Sequence, residues 1–244
     1  METQYIKTYS HALGREMECK IYGHGGIPVL FVPCQDGRFF DFESFHMTDT
    51  WSRWIESGKV KVMGIDTMDR ETWSDTVTPA DQRIRRHEEW VRYVTEEAMP
   101  MLLERCGAQK AWVFGCSLGA THAVNFYLRF PDLFNGMLAL SGIYNAEYGF
   151  GDYMDESVYR NSPVHYMENL PADHPYIEKY NSGRGIICVG QGPWELPETS
   201  VRLKELFEQK GINIWVDLWG HDVNHDWPWW HKQVEYFVPI MLGE

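Results

Sequence analysis

The residues best suited to chemistry lie at Gly115-Cys116-Ser117-Leu118-Gly119. A serine with glycines two positions to either side suits a tight strand-to-helix turn: the glycines clear space where side chains would collide, and the hydroxyl is held out at the tip. The apolar run Ala111-Trp112-Val113-Phe114 precedes it, and Leu118 to Phe130 follows with helical spacing. A plain connection with Ser117 as the helix N-cap would use the same residues. As a nucleophile, serine is weak near neutrality and needs a base to accept its proton and a carboxylate to hold that base. On such a turn the partners are expected later in the chain, acid before histidine. Two histidines compete for the role: His221, just after the run ending Leu218-Trp219, and His225, which opens His-Asp-Trp-Pro-Trp-Trp. The first carboxylate after Ile186 to Gly190 is Glu195, whereas Glu198 suits the first turn of the next helix. Asp222 and Asp226 lie too close in sequence to either histidine to be the expected partner. An oxyanion would need two backbone N–H donors. Leu118 supplies one, directly after the serine, and Gln35, in Pro33-Cys34-Gln35-Asp36-Gly37, is best placed for the other.

Elements that could position these groups follow from hydrophobic spacing. Alternation over Tyr5 to His11 and Glu16 to Tyr22, with Gly14 between, predicts an antiparallel hairpin. Apolar runs at Pro28 to Pro33, Val60 to Asp66, Lys110 to Cys116, Asn135 to Ser141, Gly185 to Gly190 and Ile212 to Trp219 predict buried strands. Helical segments fall at Phe42 to Glu56, Pro79 to Cys106, Leu118 to Phe130, Glu198 to Lys210 and Trp227 to Leu242. The expected class is α/β: one domain over residues 1–244, a mostly parallel central sheet with an antiparallel start, and helices on both faces. Sites in such sheets lie at the carboxyl ends of strands, where Ser117 falls. Ile143 to Arg184 interrupts the regular alternation and is expected to form a lid-like, pocket-forming excursion (143–184), with Tyr148, Phe150 and Tyr153 in the pocket roof. Trp73 and Arg70 leave a strand at the same sheet edge and are candidate substrate contacts.

At these residues the chain resembles the putative-esterase family of α/β-hydrolases, which includes esterase D-like enzymes, feruloyl and acetyl xylan esterases, and mycolyltransferases. The likeness runs from about Gly26 onward. It rests on the elbow, Asn125-Phe126, Pro131-Asp132-Leu133-Phe134, Gly192-Pro193-Trp194-Glu195, and His225-Asp226-Trp227 with Trp230. It implies an α/β-hydrolase fold and a serine esterase that cleaves a carboxylic ester through an acyl-enzyme on Ser117. Family members carry the base in a Gly-His-Asp-Trp-like ending; here Asp-Val-Asn separates Gly-His from His-Asp-Trp. The tryptophan spacing belongs to His225, which leaves His221 as a neighbour or substrate contact. Glu195, three residues beyond Gly192, matches the family's Gly-x-x-Asp/Glu. Where relatives carry His-Gly before the second oxyanion donor, this chain has Pro33-Cys34. The resemblance implies no cofactor. Its rival readings are an acyltransferase on the same triad and a catalytically silent protein that binds a ligand or partner; serine, acid and histidine in the right order favour catalysis.

Composition narrows the partners. A net charge of -13 argues against nucleic acid and anionic membrane surfaces. Arg83, Arg85 and Arg86 beside Glu88 and Glu89 read as a mixed-charge helix face. No secretory layout or apolar run long enough for a membrane span is present, so a cytoplasmic protein acting on a small-molecule ester is expected. Self-association into a homo-oligomer stays open. Five widely spaced cysteines suit reduced thiols, and no cluster has metal-site spacing, so no metal is expected.

Overall fold

The chain opens with an antiparallel hairpin of β1 (Thr3–Ser10) and β2 (Arg15–Tyr22), turned at Gly14, where φ is +66°. Six strands follow: β3 (Ile27–Val32), β4 (Val60–Ile65), β5 (Ala111–Cys116), β6 (Phe134–Leu140), β7 (Arg184–Val189) and β8 (Ile214–Leu218). In the computed structural model, which describes residues 1–244, they form one sheet in the order β1-β2-β4-β3-β5-β6-β7-β8. Only the β1–β2 and β2–β4 pairings are antiparallel; from β4 onward the sheet is parallel.

The unbroken apolar character of the inner strands follows from burial on both faces. Leu30, Met63, Val113, Met137 and Ile187 point to one side, against α3 (Ala80–Arg92), α4 (Met99–Cys106), α5 (Leu118–Arg129) and α10 (Glu198–Lys210). Their neighbours Phe31, Val62, Phe114, Leu138 and Ile186 point to the other, against α2 (Met47–Glu56) and α11 (Trp227–Leu242). The helical spacing over Phe42 to Glu56 resolves into two pieces, α1 (Asp41–Ser44) and α2, because His46 takes a left-handed φ of +60°. That break sends Phe45 out to stack on Trp227 at 4.3 Å, while Met47, Trp51 and Ile55 stay buried. Between α3 and α4 the turns widen into a π-helical stretch, Tyr93–Ala98. Pro100 accounts for it: in an α-helix its ring would strike the carbonyl four residues back, and it has no N–H to donate. No helix is long and apolar enough to cross a membrane.

Residues 143–184 carry four short helices, α6 (Glu147–Phe150), α7 (Glu156–Arg160), α8 (Pro163–Asn169) and α9 (Tyr176–Ser182). Arg83, grouped by sequence with a solvated charge face, is instead buried. Its guanidinium donates to the carbonyls of Thr72, Thr78 and Gly149 and lies 4.9 Å from the Phe150 ring centroid. Asn161, at the end of α7, accepts from Arg129 at 2.7 Å and from Asn125 through its carbonyl at 3.1 Å. The segment is therefore fastened to α3 and α5 by buried polar contacts.

Arg83→Ala would leave those three carbonyls without their shared charged donor. It should destabilise the protein by about 2–4 kcal/mol in urea denaturation and speed amide exchange over residues 146–151. Unchanged protection there would remove Arg83 as the anchor.

Candidate active site

Every group in question comes from the loop beyond the carboxyl end of a parallel strand: Gln35 after β3, Ser117 after β5, Ser141 after β6, Glu195 after β7 and His225 after β8. The turn at Ser117 is strained, with φ +56° and ψ -130°. Both flanking glycines are required by contact. A Cβ on Gly115 would lie 2.3 Å from the Gly119 carbonyl oxygen, and one on Gly119 would lie 2.3 Å from that of Val32 and 2.4 Å from that of Pro33. Ser117 begins α5 but its hydroxyl makes no capping bond to the helix. Instead its Oγ lies 2.9 Å from Nε2 of His225, whose Nδ1 lies 3.3 Å from Oε2 of Glu195. The Glu195 side chain is 1% exposed and that of His225 25%.

The acid and base loops are joined backbone to backbone. Gly192 N–H donates to the Val223 carbonyl at 2.8 Å, and His225 N–H to the Pro193 carbonyl at 3.1 Å. Val223 is buried, and a Cβ on Gly190 or Gly192 would come within 2.3 or 2.6 Å of its carbonyl oxygen. The extra Asp-Val-Asn thus seats Val223 under the Gly190–Gly192 turn and carries His225 to the acid. His221 stays outside, exposed, with Nδ1 3.3 Å from the Gln191 carbonyl. Asp226 caps α11 by accepting from the Trp227 N–H at 2.8 Å, and Glu198 starts α10.

Two residues of the cavity wall, Leu118 and Gln35, have amides without a protein acceptor. Leu118 is the first residue of α5, so its N–H has no intrahelical acceptor. The Gln35 N–H has no partner within the protein. The Gln35 loop is held from below: Asp36, at φ +59°, donates its N–H to buried Asp69 at 3.3 Å, and the other Asp69 oxygen is 3.0 Å from Nε2 of His122 on α5. Stacked on His122 is His87, held well below the ordinary imidazole value by burial and by that neighbouring ring. Cys116 is no rival nucleophile, since burial pushes its thiol well up.

Ser117, His225, Gln35 and Leu118 line a cavity of about 300 Å³, with Tyr148, Trp194 and Leu196 at its mouth and Thr121, Ser141 and Ile143 inside. No lysine, arginine or carboxylate lines it. Several of the other sequence candidates lie off this cavity. Trp73 lies beneath the site, 5% exposed, donating Nε1–H to His87 and packed on Phe150, because α6 turns Phe150 inward against it. Tyr153 bonds Asp155 at the surface, leaving Tyr148 as the one aromatic of the three on the cavity. Arg70 lines a separate charged groove of about 390 Å³. Sequence reading missed Trp194 and Ser141 as cavity residues. Both are non-glycine residues at positive φ, +68° and +58°, a signal visible only in the backbone.

The family model described as putative esterase matches residues 10–237. No curated protein sequence matches the chain. Among solved structures, a ferulic acid esterase aligns over 99% of this chain and 98% of its own, with TM-score 0.77 and 15% identity. An S-formylglutathione hydrolase from Agrobacterium tumefaciens aligns over 99% and 94%, with TM-score 0.74 and 17% identity. A fluorophosphonate-binding serine hydrolase from Staphylococcus aureus aligns over 100% and 99%, with TM-score 0.72 and 11% identity. With the family model spanning residues 10–237 and these structures aligning over 99% or more of the chain, the chain belongs to the putative-esterase family and has the α/β-hydrolase fold.

Proposed function

We propose that the protein hydrolyses uncharged carboxylic esters through an acyl-enzyme on Ser117. The observation that carries this reading is the line from Ser117 Oγ to His225 Nε2 (2.9 Å) and from His225 Nδ1 to Glu195 (3.3 Å), opening onto a cavity. With Nδ1–H donating to the carboxylate, Nε2 holds the lone pair that accepts the Ser117 proton as Oγ attacks the ester carbonyl. The Leu118 and Gln35 N–H groups stabilise the resulting oxyanion. His225 then gives its proton to the departing alcohol, accepts one from an attacking water, and returns it to Ser117 as the carboxylic acid leaves. Glu195 holds the imidazole in the useful tautomer and stabilises its cation.

The lining supports the substrate class. An ion placed in a cavity without countercharges would lose hydration with nothing to replace it, so the acyl group is neutral. Tyr148 and Trp194, 56% and 87% exposed, offer ring faces to an apolar or aromatic acyl chain. Aromatic esters are also named for one structural neighbour, the ferulic acid esterase. The partly exposed His225 leaves water a route to the acyl-enzyme, which favours hydrolysis over transfer to another alcohol.

A fluorophosphonate should add once, on Ser117, and Ser117→Ala and His225→Ala should each lower kcat for a p-nitrophenyl ester by about 10⁴-fold or more. His221→Ala should turn over close to wild type; the reverse ranking of the histidines would reassign the base. Trp194→Ala should cost about tenfold in kcat/KM for aromatic acyl esters relative to acetate. Phe150→Leu and Tyr153→Phe should leave the acyl ranking unchanged, and a ranking altered by them but not by Trp194→Ala would misplace the acyl pocket.

A further inference from the structure

Glu195 accepts only two hydrogen bonds, from His225 at Oε2 (3.3 Å) and from Ser141 at Oε1 (2.7 Å). Its one ion pair is with His225, so no permanent cation supports it. The other titratable groups that feel this carboxylate, Cys116, Cys188 and Tyr144, are all pushed up by burial and stay neutral. A buried carboxylate in such surroundings is held in place by its hydrogen-bond donors. One of the two is the Ser141 hydroxyl.

Its direction is fixed by a third group. Trp230 Nε1 lies 2.9 Å from Ser141 Oγ, and an indole nitrogen can only donate. It takes a lone pair of the hydroxyl and leaves the hydroxyl proton for Glu195. The same indole sets its ring edge-on to His225, with centroids 5.0 Å apart and planes at 86°. Trp230 therefore touches the base directly and the acid through one serine.

The backbone argues for the hydroxyl as well. Ser141 is 3% exposed and held at φ +58°, a conformation that glycine adopts freely and serine does not. Its N–H donates to the Cys188 carbonyl at 2.7 Å, extending the β6–β7 pairing beyond the strand end. A glycine would keep that bond and relieve the strain; what it would lose is Oγ.

We propose that Ser141 and Trp230 are positioning residues: Trp230 orients the Ser141 hydroxyl, and that hydroxyl holds the Glu195 carboxylate aimed at His225. The inference rests on the Ser117–His225–Glu195 reading and extends it by a further hydrogen-bonded layer.

The test uses Ser141→Gly and Trp230→Phe, with kcat, KM, pH–rate profiles and Tm measured on p-nitrophenyl acetate. Ser141→Gly should fold with Tm near wild type and KM little changed, while kcat falls roughly ten- to hundred-fold, the rate equivalent of one lost charged hydrogen bond. The acid limb of its profile should move to higher pH, because a carboxylate relieved of one donor offers more of its charge to the His225 N–H and favours the imidazolium. Trp230→Phe keeps a ring beside His225 and should show a smaller shift in the same direction. A folded Ser141→Gly enzyme with wild-type kcat and an unmoved acid limb overturns the inference. If that variant does not fold, an unmoved limb in Trp230→Phe does so. A wild type that neither turns over the ester nor labels with fluorophosphonate removes the underlying reading and this inference together. Turnover dependent on Ser117 with Ser141→Gly matching wild type removes this inference alone.

Discussion

The contact on which the site rests is between the first turn of α5 and the end of β3. At Gly119 the helix backbone lies so near the Val32 and Pro33 carbonyls that no side chain fits between them. Everything catalytic in the proposed reading depends on that contact. It brings the first free amide of α5 and the loop carrying Gln35 to one spot, and it forces Ser117 into a backbone conformation with few occupants. Such a conformation costs on the order of 1–3 kcal/mol and survives only where neighbours over-determine it. Here the Ser117 N–H is held by the Leu140 carbonyl at 2.8 Å, and its own carbonyl accepts from Ala120 at 2.9 Å. Strand and helix thus grip the serine from both sides and leave its hydroxyl free.

Around that fixed point the remaining groups are delivered separately, by the loops after β6, β7 and β8, and agreement among them must be built by contact. Polar links do this at several depths. The outermost is the backbone stitching of the Gly192 and Val223 loops; deeper, Ser141 and Trp230 meet behind Glu195. On the other flank, the His122–Asp69–Asp36 chain ties α5 to the loop that carries the second amide. The Ser141–Glu195, Trp230–Ser141 and His122–Asp69 links are buried, so an unmade partner there would be costly, and that is what gives these contacts their directing power.

Much of the architecture is legible from apolar runs alone, because strands buried on both faces carry an unambiguous signal and glycines such as Gly107 and Gly211 stop helices in the left-handed region. Legibility fails where the signal is shorter than its own period. The helices of residues 143–184 span four to seven residues each, too few for spacing to speak. It also fails where spacing is right but a single residue turns the chain, as His46 does within an apparently continuous helical run. For the site, the serine elbow reads well because its requirements are local. Glu195 and His225 could be ordered by chain position and likeness to a family, but their convergence is a property of loop packing. Ser141 was invisible: it meets Glu195 across 54 residues, and nothing in Leu140-Ser141-Gly142 announces a left-handed serine with a use for its hydroxyl. Arg83 misled for the opposite reason, since its neighbours are solvated charges while it alone turns inward.

The stitched loops carry a consequence for how this part of the chain can vary. Surface connections ordinarily tolerate insertions and deletions well, since lengthening a flexible loop adds little entropy cost. Between β8 and α11 that freedom is absent. Val223 and His225 engage Gly192 and Pro193 as consecutive pairs, so removing or adding one residue after Gly220 slides the imidazole out of step with the carboxylate while leaving the sheet untouched. The segment behaves less like a loop than like an extra rung of pairing, in which length is part of the specification. Changes of length there can be accepted only together with a matching change in the Gly190–Glu195 turn, which makes the two segments one heritable unit.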